Sequence, residues 1–435
     1  MHELTQLIKN DMKPALGVTE PGAIAFSVAK AKTYVSGELK QIKVVLNSGM
    51  YKNAFSCGIP GSPRVGSAYA AALGYIAGDA EKGLESLAGV TAEDNTEAEK
   101  LISSGRVKIE LGEITSRIFI QTSVETVNDT AVVTINDSHT NITYVAVNGS
   151  LVYGSADNEG AGGGEGSSAD PVSEEPLKLI HSYSLAGLVE YADTVDLAEI
   201  EFIRAAYNTN LELFNAGMES DRTTFAKYLL AKNNGEVISG DEQKTASLIC
   251  NAAIEARVIG LDKPAMSITG SGAHGIIATM PLYAAYKVNG YSEEQLLRAT
   301  ALSYLICTYI KEYSGKLSAF CGCAIAAGTG MACALVYLRG GTLEMMEHTI
   351  NNMAGSITGM ICDGGNQGCT MKGIAAVDAA YQSVNLAMEG VYIFNEHGII
   401  GLTPEDTMRN MGLIASPGMT GTEKTIVEIF DRKNQ

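Results

Sequence analysis

Thr143-Tyr-Val-Ala-Val-Asn-Gly-Ser-Leu-Val152 alternates apolar and polar residues on either side of Asn148-Gly149. A period of two is the signature of a half-buried strand, and Asn-Gly supplies the positive φ angles of a tight hairpin turn. The same period recurs at residues 41–47, 106–111, 117–124 and 131–135, with Asn128-Asp129 marking a second turn. Residues 104–153 therefore read as an antiparallel meander. Residues 66–88 and 91–103 read as helices packed on it, so 39–153 is expected to be a small α+β domain.

The period changes on both sides of this region. Residues 3–13 read as a helix, and Thr19-Glu-Pro-Gly-Ala-Ile-Ala-Phe-Ser-Val-Ala-Lys30 starts another, with Pro21 in its first turn. Residues 1–38 are expected to pack as N-terminal helices on a larger helical domain. Residues 154–176 contain Gly-Ala-Gly-Gly-Gly-Glu-Gly-Ser-Ser, too polar and glycine-rich to build a core, and read as a linker or mobile flap. From residue 177 to 435 the pattern is helical, and no further strand is expected. Stretches such as 281–289 and 293–312 carry so little charge that neighbours must wrap them. The fold class is α+β: a large all-helical C-terminal domain joined by the N-terminal helices, with a smaller α+β domain built on an antiparallel sheet.

Composition narrows the function. Lys and Arg number 31 against 49 Asp and Glu, a net charge of −18, which repels phosphate backbones and anionic lipid. Nucleic acid and membrane are thus excluded as partners, and a small-molecule ligand is favoured. The first residues lack a charged-then-apolar signal pattern and no stretch of 18 is apolar throughout, so a cytoplasmic location is expected. Extensive apolar helix faces point to a homo-oligomer. Eight cysteines in such a chain should be reduced thiols, of which Cys250, Cys307 and Cys333 lie in apolar helical runs and read as core filler. His2, His181, His348 and His397 have no companions in sequence and read as surface residues.

The other cysteines stand in different company. Cys321 and Cys323 occur in Phe-Cys-Gly-Cys-Ala, and Cys362 and Cys369 in Ile-Cys-Asp-Gly-Gly-Asn-Gln-Gly-Cys-Thr-Met-Lys. One and six intervening residues fit no common zinc finger, whereas an iron-sulfur cluster is less demanding of spacing. Asp363, Asn366, Gln367 and Lys372 add polar groups that a structural thiol would not need. The loop Thr269-Gly-Ser-Gly-Ala-His-Gly275 reads either as an anion-binding turn at a helix start, with Ser271 and His274 in reach of chemistry, or as a glycine hinge. Lys311-Glu-Tyr-Ser-Gly-Lys316 reads either as a carboxylate contact or as an exposed basic helix end. The turn holding His139, Thr140 and Asn141 is either a plain hairpin connection or the edge of an interdomain site. In Asn47-Ser-Gly-Met-Tyr-Lys-Asn53, Lys52 is a candidate substrate anchor with Asn53 beside it.

Together, Ala-Leu-Gly-x-Thr-Glu-Pro, the His-Thr-Asn-Ile turn, Gly-Ser-Gly-x-His-Gly, Ser-Gly-Lys-Leu-Ser-x-x-Cys-Gly-Cys-Ala and Cys-Asp-Gly-x-x-x-Gly-Cys-x-Met-Lys resemble the L-cysteine desulfidase family. That family is related to the α-domain of iron-sulfur L-serine dehydratases. The resemblance spans nearly the whole chain and implies a β-eliminating lyase using an oxygen-sensitive [4Fe-4S] cluster, which handling in air would strip. By motif it implies cluster ligands at Cys323, Cys362 and Cys369, with Cys321 in reserve, and a substrate that is a small amino acid, cysteine or serine. It also implies His274 as base, Lys311 or Lys316 as carboxylate anchor, Ser271 as a further catalytic group, and Glu20, Lys52, Asn53, His139, Thr140 and Asn141 around the substrate. One position departs from the pattern: Val18 stands where the family has a cysteine that binds or neighbours the cluster. The consequence is either a cluster on three thiolates, a retuned reaction, or a cluster-free amino-acid-binding homologue.

Overall fold

Five alternating stretches become six strands of one sheet, because the Asn148-Gly149 pair splits the last of them. The computed structural model describes residues 1–115, 117–158, 178–315 and 317–433. Helix α1 (Glu3–Asp11), strand β1 (Lys13–Leu16) and helix α2 (Thr19–Lys32) precede the sheet strands. These are β2 (Leu39–Leu46), β3 (Val107–Leu111), β4 (Phe119–Thr126), β5 (Thr130–Asn136), β6 (Ile142–Val147) and β7 (Ser150–Gly154), in the spatial order 3-2-4-5-6-7. Asn148 and Gly149 have φ of 51° and 77°, as a two-residue hairpin turn demands.

One edge of the sheet departs from the expected meander. β3 runs parallel to β2, with Val44 beside Ile109, while all other neighbours are antiparallel. A parallel partner requires a long crossover. The chain between β2 and β3 supplies it as α3 (Ser48–Ala54), α4 (Ser67–Ile76) and α5 (Ala92–Ser103). A capping box between Thr91 and Asp94 starts α5.

The first 38 residues do not pack as one unit. Leu4 and Ile8 of α1 join the helical core, whereas Ile24 and Val28 of α2 join Ile42, Val44, Ile120 and Val133 beneath the sheet. The reason lies in composition: α2 is buried on almost every face, so it needs cover from the sheet on one side and α4 on the other. Ser27 Oγ meets Thr122 Oγ1 at 2.6 Å, fixing helix to strand.

Twelve further helices follow: α6 (Leu185–Thr194), α7 (Leu197–Ile200), α8 (Arg204–Glu219), α9 (Phe225–Lys232), α10 (Glu242–Val258), α11 (Gly272–Asn289), α12 (Glu293–Ser314), α13 (Gly328–Leu338), α14 (Leu343–Ile357), α15 (Gly368–Met388), α16 (Pro404–Leu413) and α17 (Thr420–Lys433). At their centre lies α10, buried at every residue from Thr245 to Val258 because α8, α9, α11 and α15 all pack on it. Between α10 and α11 the short β8 (Pro264–Ser267) pairs antiparallel with β1, Lys13 beside Ser267. That strand was not expected, since four residues are too few to display a period.

Helix α17 leaves the helical body and closes the other core. Ile426, Val427 and Phe430 join the sheet-side core against α3, and Phe430 stacks on Phe55 with ring centroids 4.3 Å apart. The two cores meet along one segment: Leu317 and Ala319 belong to the sheet side, Phe320 and Cys321 to the helical side. Of the tract 154–176, residues 159–176 lie outside the described residues, as does Lys316. No helix among the described residues is long and apolar enough to cross a membrane.

Candidate functional site

At this junction a short ladder closes the sequence gap between the cysteine motifs. Cys321 N–H donates to the Met360 carbonyl at 3.0 Å and Cys362 N–H to the Ala319 carbonyl at 2.6 Å. Cys323 then opens a π-helical turn, Cys323–Ala327, ahead of α13, a local distortion frequent at functional sites. Cys369 sits in the first turn of α15, its thiol 3.4 Å from the Gly364 carbonyl. Five of the eight cysteines are buried; Cys323, Cys362 and Cys369 alone keep partial exposure.

The thiols act on one another. Burial, then the neighbouring thiols, push Cys369 up to about 12, and burial raises Cys362 as well. Hydrogen bonding to Cys323, followed by burial, holds Cys321 well above the usual thiol range. Such groups become ligands when a cation takes up their charge. Among the described residues no three His, Cys, Asp or Glu side chains converge on a position for a single metal ion. An all-sulfur donor set spread over two loops, with basic side chains alongside, suits instead a bulkier, anionic iron-sulfur cluster. Lys311 is buried within the field of Cys323 and Cys362, and Lys372, paired with Asp363, lies within that of Cys369 and Cys321. Thiols and neighbouring ammonium groups are the donor and counter-charge types such a group takes.

His274 occupies the corner between α11, α12 and the Cys-Gly-Cys turn. A Cβ built on Gly322 would lie 2.7 Å from its Nε2 and 2.9 Å from Cδ of Lys311, so only glycine admits this approach. Thr269 Oγ1 donates to the Ile268 carbonyl at 2.7 Å and also contacts His274 Nδ1. With its own proton committed, the hydroxyl accepts from Nδ1–H, which leaves the Nε2 lone pair facing the glycine turn. Burial, reinforced by the charges of Lys311 and Arg257, holds the imidazole well below its usual pKa and keeps it neutral at pH 7. Asp11, at the end of α1, accepts from Thr269 N–H at 2.6 Å and steadies this loop. Lys311 Nζ donates to the Gly315 carbonyl at 2.8 Å. Ser271 stands at the N-cap of α11 without capping it.

The sheet side contributes a second wall. Glu20, 6% exposed in the first turn of α2, accepts from Asn53 Nδ2 at 2.7 Å, and His139 Nε2 stands 3.9 Å from the same oxygen. Thr140 and Asn141 are exposed, and Asn141 serves its turn by donating to the Asn136 carbonyl at 3.0 Å. Val18 packs against the cysteine loop: a Cβ on Gly365 would lie 2.9 Å from Val18 Cγ1 and 3.4 Å from Cys57 Cβ. Lys52 is 1% exposed and spends its ammonium on Glu423 of α17 at 2.7 Å and on the Ser318 carbonyl at 2.8 Å. It reaches the junction as a clamp between bodies.

Several buried polar atoms here have no partner among the described residues: Asn53 Oδ1, Ser318 Oγ, Thr370 Oγ1, Glu423 Oε1 and Arg257 Nε. Buried groups are rarely left so, which makes these atoms candidate ligand contacts. Arg257, Asp11, Cys57 and Glu423 escaped the sequence reading. Arg257 did carry a signal, because Glu255 and Arg257 are the only charges between residues 245 and 261.

Comparison with known proteins gives the family. The family described as serine dehydratase alpha chain matches residues 81–428. A UPF0597 protein of Clostridium botulinum (strain Hall) is 41% identical over 429 residues, 98% of each chain. Another, of Caldanaerobacter subterraneus subsp. tengcongensis, is 34% identical over 433 residues, 99% of this chain and 98% of the relative. A third, of Clostridioides difficile (strain 630), is 32% identical over 431 residues, 99% of each. With its cysteine loops, glycine turn and buried histidine on the stretch so matched, the chain belongs to the serine dehydratase alpha chain family.

Proposed function

We propose that the protein is a β-eliminating lyase that converts L-cysteine and water to pyruvate, ammonia and hydrogen sulfide. The observation that carries this reading is the neutral, oriented imidazole of His274 held against the Cys321-Gly-Cys323 turn, to which backbone hydrogen bonds tie the Cys362 loop. A [4Fe-4S] cluster held by Cys323, Cys362 and Cys369 would supply a Lewis acid that makes the β-substituent a better leaving group.

The remaining work falls to the chain's own side chains. His274 Nε2 takes the proton from Cα, and the electron pair left behind expels the β-thiolate as the Cβ–S bond breaks. The aminoacrylate so formed tautomerises to an imine, which water hydrolyses to pyruvate and ammonia. Because His274 enters neutral and its Nδ1–H is tied to Thr269, no prior deprotonation is required. Ser271, free of capping duty, offers a hydroxyl to substrate, and Glu20, positioned by Asn53 with His139 nearby, offers a carboxylate to the substrate ammonium. Lys311 offsets thiolate charge from its buried position, and Lys52 we assign to the clamp with Glu423. Val18 leaves position 18 to packing, so the cluster would rest on the three thiolates.

A second reading has the same machinery eliminate water from L-serine, and the family description favours it. Anaerobic purification, reconstitution with iron and sulfide, iron counting and a pyruvate assay with each amino acid test both readings. About four iron atoms per chain and pyruvate from cysteine, with sulfide released, are the expected result. Pyruvate from serine alone selects the second reading, and pyruvate from neither sinks the lyase. Tight amino-acid binding without iron would mark a binding homologue. Replacing Cys362 by Ser should abolish iron incorporation while leaving the unfolding temperature near that of the parent.

A further inference from the structure

Helix α10 brings two charges into the middle of the helical body, and only one of them is satisfied. The Glu255 carboxylate accepts from the backbone N–H groups of Thr224, Phe225 and Ala226 at 2.7 to 3.1 Å, at the start of α9. Arg257, half a turn on, is 5% exposed, has no carboxylate within ion-pairing distance among the described residues, and leaves Nε buried without a hydrogen-bond partner. A Cβ built on Gly272 would lie 2.7 Å from that Nε, so the guanidinium lies against the first residue of α11.

That helix start is itself short of an acceptor. The first turn of any α-helix leaves N–H groups without intrahelical partners, and the aligned peptide dipoles make the end electropositive. α11 runs for 18 residues, and its N-cap Ser271 makes no capping hydrogen bond. A buried cation and an uncapped helix N-terminus therefore share one corner, and its nearby carboxylate, Asp11, is engaged by Thr269 N–H rather than by the guanidinium. An anion completes both.

The surroundings select which anion. The sheet side carries Glu20, held by Asn53 at 2.7 Å, and it meets α10 beside Arg257, where Gly58 N–H donates to the Val258 carbonyl at 2.9 Å. A phosphate dianion would meet repulsion from Glu20. A zwitterion meets complementary charge at both ends, a carboxylate on the guanidinium fork and an ammonium on Glu20. His274 is the third residue of α11, so a carboxylate held at this helix start delivers its own α-carbon to the side of the proposed base.

We propose that Arg257, together with the N-terminal amides of α11 and the Ser271 hydroxyl, forms the carboxylate subsite for a zwitterionic α-amino acid. The assignment rests on the lyase reading of the same junction and adds to it the group that fixes substrate orientation.

The test is calorimetric titration of the anaerobically reconstituted protein with L-serine and with L-serinamide, alongside steady-state pyruvate assays. The parent protein should bind the acid at least about tenfold more tightly than the amide. Arg257→Met should weaken L-serine binding by about 30-fold to 100-fold and abolish the preference for acid over amide, as expected for loss of a charge-assisted pair. Arg257→Lys, which keeps the charge but loses the fork, should raise KM about tenfold with kcat within about threefold, and it carries the test if the Met variant fails to fold. Unchanged L-serine affinity in a folded Met variant, unchanged KM in the Lys variant, or indifference of the parent protein between acid and amide would each overturn the assignment. The lyase reading fails separately: Arg257-dependent binding of the acid without pyruvate from the parent keeps the subsite and sinks the lyase. Pyruvate from Arg257→Met at parental KM does the reverse.

Discussion

Lys52 and Arg257 are both cations buried at the same junction, yet they live in opposite circumstances. Lys52, between α3 and α17, has a carboxylate at 2.7 Å and a carbonyl at 2.8 Å. Arg257, between α10 and α11, has a helix start beside it and an unpartnered Nε. A buried charge with its counter-charge holds elements together, whereas one without it raises the energy of the empty protein and lowers that of the liganded one. The first corner therefore belongs to stability and the second to binding.

The contrast can be broken at its strong end first. Glu423→Leu leaves the Lys52 ammonium buried with the Ser318 carbonyl but no counter-charge and should cost about 3–5 kcal/mol, or roughly 4 °C in thermal unfolding followed by circular dichroism. Adding Lys52→Met to that variant should recover most of the loss. A Glu423→Leu protein that unfolds with the parent would show that the clamp is no more structural than the Arg257 corner. Next in size, His274→Gln should lower kcat by about 10²–10⁴-fold while amino-acid binding survives, separating chemistry from binding within the second corner. Equal loss of both would merge them.

Arg257→Met sharpens the contrast from the other side. In the absence of amino acid its unfolding temperature should stay within about 1 °C of the parent, since no partner is orphaned by the change. Val18→Cys should slow iron loss in air by about twofold or more, because the added thiol would lie against the 362–369 loop; iron release followed by chelator absorbance reads this directly. The smallest effect concerns His181, which stacks on Tyr313 at 3.7 Å and whose pKa burial lowers from 6.5. The folded chain then holds fewer protons there than the unfolded one as pH falls below about 6.5, so this contribution is fully present above that pH and is lost below it. His181→Phe should flatten that part of the stability profile.

Local patterns were legible in the sequence and distant partnerships were not. Asn148-Gly149 announced its hairpin because two residues suffice to specify that turn. The cysteine motifs drew attention because glycine beside thiol is a poor way to fill a core, and Cys323, Cys362 and Cys369 do keep partial exposure. The parallel pairing of β3 was hidden, since strand direction depends on where three helices route the chain. Lys52 read as a free anchor because its partner lies 371 positions downstream. His181 and His348 looked solitary in sequence, yet each stacks on a tyrosine, Tyr313 and Tyr392. Arg257 stood out only as a lone charge in an apolar run, and burial on every side of α10 turned it into a binding group.

The return of α17 to the sheet body bears on the order in which the chain acquires its structure. Phe430, Val427 and Ile426 complete a core whose other members lie mostly before residue 146, and Tyr51 donates to Asp431 across 380 residues. A nascent chain emerging from the ribosome can pair β2 through β7 early, but α3 gains its cover from α17 only after the whole helical body has been synthesised. The small half is therefore expected to be the later of the two to become protease-resistant during refolding, which pulse proteolysis reads.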